Sequence, residues 1–219
     1  MPLLEVENLS PAVHGRAPVA FAGLSFRLNA GEQVVVVGPA GCGKTSLARA
    51  VSLIDRPSAG RVGFDGQDIT RAGGGRLRAL RRALQYVGGD ARRSLSPRLS
   101  IAQVLAEPLQ VHRLGSNAER QAQVAGAAEA WQLNPLLLGL RANALSHGLC
   151  QRVALARACL LQPRLLVTDE LAERLEPGGV RPLLALVSGL CRAAGMAWLW
   201  TTRDAALARQ YSDRIVEMN

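Results

Sequence analysis

Residues 34–46 read VVVVGPAGCGKTS, and no other stretch restricts the fold so tightly. Four successive valines cannot form a strand with one wet face, because alternation would put polar side chains at every second position. A continuous β-branched run fits a strand covered on both faces, as in a parallel sheet. The run stops at Gly38, and residues 38–45 match the phosphate-loop spacing G-x-x-x-x-G-K-[ST]. Gly38, Gly41 and Gly43 permit backbone angles that let successive N–H groups turn inward around an anion. A helix expected over residues 44–53 adds the partial positive charge of its N-terminus. The expected phosphate-binding set is therefore Gly38, Pro39, Ala40, Gly41, Cys42, Gly43, Lys44, Thr45 and Ser46. Lys44 would reach the β- and γ-phosphates, and the Thr45 hydroxyl would ligate Mg²⁺. Lys44 is the only lysine in the chain. A compact ammonium suits a place among phosphate oxygens better than a guanidinium does.

A length of 219 residues suits one α/β domain with room for an inserted unit. Hydrophobic residues make up 48%, enough for a sizeable core. No apolar run approaches the roughly 20 residues that a membrane span needs. The opening MPLLEVENLS has acidic residues and no basic segment ahead of an apolar one, so no secretory leader is expected. A net charge of +9 admits three partners: nucleic acid, an anionic membrane surface, or nucleotide phosphate. Aromatic residues are only 4% and do not interleave with the arginines clustered at 71–82 and 92–98. Those clusters are expected to be solvated surface, and no nucleic-acid site is expected. Cys42, Cys150, Cys159 and Cys191 lack C-x-x-C spacing and are expected to be free thiols. Cys42 lies in the phosphate loop, so its alkylation should block nucleotide binding.

Alternation predicts strands at 3–9 and 19–28, the second turning through 29–31 into the valine run. This gives a small antiparallel layer beside the parallel sheet. A strand at 61–64, a helix at 76–84 and an extended stretch at 85–87 follow. From Ser100 to about 140 the pattern is helical. Ser100 can cap a helix over 101–112, and Ser116 with Glu119 forms a capping box for a helix through Trp131. Further on come a helix at 149–161, a strand at 165–168, a helix at 177–194, a strand at 197–200, a helix at 204–210 and a last strand at 215–218.

The strand at 165–168 ends in Asp169-Glu170. An apolar strand closed by two carboxylates, downstream of a phosphate loop, is the second half of a nucleotide site. Asp169 would hold Mg²⁺ through water, and Glu170 would polarise the attacking water as general base. The order of elements now resembles the nucleotide-binding subunit of ABC transporters, over nearly the whole chain. Residues 144–170, ALSHGLCQRVALARACLLQPRLLVTDE, resemble a signature helix of the LSGGQRQRVALARAL kind followed by the acidic strand. Residues 84–98, LQYVGGDARRSLSPR, look like the Q-loop region of the peptide and nickel importer branch. The resemblance implies an α/β fold: a P-loop NTPase (RecA-like) core with a parallel sheet, a small antiparallel β-layer and an inserted α-helical subdomain. It divides the chain into a core of 1–88 and 144–219 and a helical subdomain of 89–143. It also implies MgATP bound between two cassettes, and coupling to membrane subunits.

The departures from the pattern matter as much. The Q-loop glutamine position falls on Gly89, which has no side chain to reach Mg²⁺ or water. In the signature positions Ser146, His147 and Gly148, His147 replaces a glycine, and Leu149 replaces the glutamine. The imidazole would crowd a partner's nucleotide or, if protonated, donate to it; crowding is the favoured reading. The switch histidine falls on Arg203, which can bind a γ-phosphate but cannot shuttle a proton. The D-loop aspartate position is Glu176, and the adenine-stacking position falls near His14. The chain ends at Asn219, short of the final strand and helices that many relatives carry.

The resemblance therefore implies a slow or asymmetric ATPase subunit of an importer for peptides or nickel chelates. Its expected partners are transmembrane permeases, a second and better-equipped ATP-binding subunit, and indirectly a solute-binding protein. The expected location is the cytoplasmic face of the cell membrane. A non-hydrolysing regulatory half of a heterodimeric ATPase is the alternative. A soluble ABC ATPase acting on ribosome or DNA is a third class, but neither tandem domains nor a coiled-coil insertion is visible.

Overall fold

The computed structural model describes residues 1–12 and 21–218. Along the chain lie β1 (Leu4–Ser10), β2 (Leu24–Leu28), β3 (Gln33–Val37), α1 (Lys44–Val51), β4 (Ala59–Phe64), β5 (Gln67–Asp68), α2 (Gly74–Ala83) and β6 (Leu84–Val87). They are followed by α3 (Ala91–Ser94), α4 (Ile101–Val111), α5 (Asn117–Ala130), α6 (His147–Cys159), β7 (Leu165–Thr168), α7 (Pro177–Ala193), β8 (Ala197–Thr202), α8 (Ala205–Tyr211) and β9 (Arg214–Glu217). Short 3-10 turns cover Pro135–Gly139 and Ala142–Ala144.

Two sheets carry the architecture. One is parallel, in the order β6-β7-β8-β3-β9, and the other is antiparallel, in the order β2-β1-β4-β5. The valine run lies at the heart of the first, between β8 and β9. Val34, Val35 and Val36 have no exposed surface. Val34 and Val36 pack with α1 and the antiparallel sheet, whereas Val35 packs on the opposite face with α6 and α7. That two-sided burial is the reason the run has no alternation.

The apolar faces of α4, α5 and α6 share the core behind Val35, through Ile101, Val104, Leu105, Val124, Val153 and Ala154. Both expected caps form. Ser100 accepts from Gln103 N, and Ser116 accepts from Glu119 N while Glu119 reaches back to Ser116 N at 2.6 Å. The arginine-rich α2 buries none of its residues, as its composition demands.

Several element bounds differ from those expected. Of the expected second strand, residues 19 and 20 lie outside the described residues, and the strand starts at Leu24, because Gly23 takes a left-handed φ of 69° that breaks extension. α1 stops at Val51, and Leu53 turns the chain with φ 57°. α6 begins at His147, one residue after its Ser146 cap, rather than at Leu149. β8 continues to Thr202, since Thr201 and Thr202 stay in register with Val36 and Val37. β5 is too short to leave a periodic trace.

Two carboxylates pin the start of β3 to its neighbours. Asp213 accepts from Gln33 N at 2.8 Å and from Arg192 at 2.7 Å. Glu32 accepts from Asn29 N at 2.7 Å and from Arg214 at 2.8 Å.

Candidate nucleotide-binding site

β3 delivers the chain to Gly38, where a Cβ would lie 2.4 Å from the Met218 carbonyl oxygen and 2.6 Å from Cys42 Sγ. No other residue fits that approach. The loop then closes through Gly41 and Gly43, at φ 81° and 100°. α1 starts directly after Gly43, with no side-chain cap and no acidic residue in its first turn. Its first amides have no side-chain acceptor, which is the condition under which a helix N-terminus takes an anion.

Six side chains from three strand ends and α1 converge here. Lys44 is buried, and its Nζ donates to the carbonyls of Gly38 and Pro39, each at 2.8 Å. The same ammonium lies 3.2 Å from Glu170 Oε1. Thr45 Oγ1 donates to Asp169 Oδ2 at 2.7 Å. These two oxygens meet as a pair that would share one Mg²⁺, so the donor set fits a hard, oxygen-seeking cation. Tyr86 OH also faces Asp169 Oδ2, at 3.4 Å, and Thr201 Oγ1 donates to Asp169 Oδ1 at 2.7 Å.

Glu170 holds the left-handed region at φ 48°. That conformation costs a non-glycine residue about 1–3 kcal/mol and recurs at working sites. Its carboxylate meets Arg203 Nε at 3.2 Å and Nη2 at 3.4 Å. Arg203 Nη2 also binds Glu173 Oε1 at 2.5 Å, so one guanidinium bridges two carboxylates. Burial pushes the Glu170 carboxyl up, but hydrogen bonds from Glu173, Lys44 and Arg203 outweigh it and leave it below the usual range. Glu173 is shifted the other way, chiefly by the hydrogen bond it shares with Glu170. Glu170, Glu173 and Arg203 open onto a cleft of about 720 Å³ between the segment after β7, α7 and α8.

Gly89, at the Q-loop position, is packed against this centre. A Cβ there would stand 3.0 Å from the Glu170 carbonyl oxygen and 3.2 Å from that of Asp169. Behind it, the buried Gln151 of α6 donates to the Gly88 carbonyl at 3.2 Å. Asp90 pairs with Arg93 and Arg174, each at 3.2 Å.

The expected signature residues lie in a different cleft. Ser146 caps α6 by accepting from Leu149 N at 3.3 Å. His147 and Gly148 form the helix's first turn, and all three line a cleft of about 550 Å³ with Arg92, Arg152 and Glu176. His14 lies outside the described residues. Thr201, Tyr86, Glu173 and Gln151 were not anticipated from the sequence. The one available signal was a pair of threonines closing an otherwise apolar strand.

A buried parallel strand, a glycine loop and a helix N-terminus, facing an Asp-Glu pair at the end of the strand two places away in the same sheet, define a phosphate-loop nucleotide-binding domain. The profile described as ABC transporter matches residues 21–173. The Pseudomonas aeruginosa di/tripeptide transport ATP-binding protein DppF is 37% identical over 205 residues, covering 93% of this chain and 64% of that protein. The Escherichia coli nickel import ATP-binding protein NikE is 32% identical over 230 residues, covering 100% of this chain and 84% of that protein. A Brucella ovis relative is 33% identical, and the chain spans 68% of its length. The structure of cbiO1 from Clostridium perfringens, part of the ABC transporter complex cbiONQ, superposes with a TM-score of 0.87 at 25% identity, covering 100% of this chain and 85% of that one. The ATP-binding cassette MJ0796, dimeric and bound to ADP and Pi, shares the fold with a TM-score of 0.88 at 24% identity, covering 99% of this chain and 94% of that one. The chain belongs to the ABC transporter family and is an ATP-binding cassette ATPase.

Proposed function

We propose that this chain is the ATP-hydrolysing subunit of an importer for peptides or nickel chelates, working at the cytoplasmic face of the membrane against permease subunits. The observation that carries the reading is the meeting of Lys44, Thr45, Asp169 and Glu170 at the mouth of one glycine loop. No helix among the described residues is long and apolar enough to cross a membrane, which fits a peripheral subunit. Names of relatives such as DppF and NikE support the solute class. Residues 89–143 read as the helical insertion between core segments 1–88 and 144–219. A solute-binding protein would feed the permeases, and nucleic acid has no part in the cycle.

Each site residue has a separate task in this reading. Residues 38–46 cradle the phosphates, and Lys44 exchanges its loop carbonyls for phosphate oxygens. Thr45 and Asp169 would hold Mg²⁺, which would supply charge neutralisation at the transferring phosphoryl group. Glu170 orients the attacking water. His14 is the candidate adenine contact, Arg203 the γ-phosphate sensor, and Ser146, His147 and Gly148 the surface offered to a second cassette.

Turnover is expected to be slow. A general base held below the usual carboxylate range is a poorer proton acceptor, and Arg203 is hydrogen-bonded to both oxygens of the Glu170 carboxylate. Gly89 contributes no side chain. These same features favour a second reading, an ATP-binding regulatory half that does not hydrolyse. Glu170→Gln in the assembled transporter separates the two. Total ATPase should fall if the chain hydrolyses, with the contribution of this site reduced by about 10²-fold, and an unchanged rate would establish the regulatory half. Should Lys44→Ala and wild type bind MgATP equally in calorimetry, both readings fail. We further infer that the second cassette is a different chain, because a homodimer would set two His147-bearing signatures against two intact phosphate loops.

A further inference from the structure

Thr201 is 2% exposed, yet its hydroxyl uses both its donor and its acceptor capacity on consecutive residues of the neighbouring strand end. It donates to Asp169 Oδ1 at 2.7 Å and accepts from Glu170 N at 3.0 Å. The parallel register places it there. Thr168 stands opposite Trp200, so Asp169 and Glu170 leave β7 level with Thr201 and Thr202. Thr45 holds the other Asp169 oxygen, at 2.7 Å. The Asp169 carboxylate is therefore gripped from both sides, with one oxygen turned to the phosphate loop and the other to β8.

The second bond acts on the backbone. Glu170 sits at φ 48°, a conformation its own side chain disfavours. The Thr201 hydroxyl gives the Glu170 amide a buried partner in that conformation. Valine has the same shape as threonine and suits a buried strand equally well, but would satisfy neither group. We propose that Thr201 is a positioning residue that holds the metal-bearing carboxylate and the strained backbone of the general base in one register. The proposal rests on the hydrolytic site described above. Outer partners of ligating carboxylates commonly contribute ten- to hundred-fold to metal affinity or activity, that is, about 10–100-fold.

The test compares wild type with Thr201→Val, Thr201→Ser and Thr201→Ala, using the full chain. Serine and alanine lose the same methyl group and differ only in the hydroxyl, so this pair decides the matter even if the valine variant folds poorly. Two quantities are read. The first is amide hydrogen exchange at Glu170, followed by NMR without nucleotide or metal. The second is the ratio of calorimetric affinities for ATP with Mg²⁺ and with EDTA. Exchange at Glu170 should quicken about tenfold or more in Val and Ala but not in Ser. The Mg²⁺ advantage should fall about 10–100-fold in the same two variants. A role in packing alone would leave Ser and Ala alike, and either quantity alike in those two overturns the proposal. If wild type gains nothing from Mg²⁺, the hydrolytic reading itself is wrong and the proposal goes with it.

Discussion

Arg203 places one guanidinium across Glu170 and Glu173, where a smaller imidazole would reach only one of them. Arg203→His should free the Glu170 carboxylate and raise kcat about tenfold in the assembled transporter, measured by phosphate release. An unchanged or lower kcat would show that the guanidinium does not restrain hydrolysis. Gly89 makes the opposite case. Restoring a glutamine at that position would seem to repair the site, but its Cβ would press within 3.0 Å of a backbone carbonyl. Gly89→Gln should therefore lower the melting temperature, by the equivalent of about 1–3 kcal/mol, and bring no gain in ATPase rate. A faster and equally stable variant would refute this account.

The helices and strands respond to simpler rules. The Ser116–Glu119 box satisfies two amides at the start of α5, so Ser116→Ala should cost about 1 kcal/mol in urea unfolding. The start of β3 has a pH signature. Partial burial raises the Glu32 carboxyl, but hydrogen bonds from Arg214 and Asn29 outweigh it and hold it below its ordinary value of 4.5. Asp213 likewise resists burial through Arg192 and the Gln33 amide and stays below 3.8. Both folded values are depressed, so their contribution is complete above the unfolded values and is lost as pH falls through the folded ones. The stability gap between wild type and a Glu32→Gln, Asp213→Asn double variant should shrink from about pH 5 to about pH 3. A constant gap would show that these carboxylates do not act as charges. Most elements at this scale were legible in the sequence, because valine runs and Ser-x-x-Glu boxes act locally. β5 was not, because it depends on pairing with β4, and the start of β2 was not, because it is set by the left-handed φ of Gly23. Of the site, the loop and the Asp169-Glu170 pair could be read directly. Thr201 and Glu173 could not, since their roles arise only when β7 and β8 lie side by side.

At the scale of the whole molecule Lys44, Thr45, Asp169 and Glu170 meet at the glycine loop, while the cleft proposed to face a second cassette is lined by His147. The isolated chain should bind MgATP and remain monomeric in analytical ultracentrifugation, and a different cassette should be needed for nucleotide-driven pairing. ATP-dependent self-association would contradict this. The lone Lys44 carries a practical consequence. In a protein whose other fixed cations are guanidinium groups, an acylating reagent finds one internal amine, and that amine is 3% exposed and tied to two carbonyls. Its mass tag, read against the tag on the α-amine of the first residue, would report occupancy of the triphosphate pocket directly, with no engineered label.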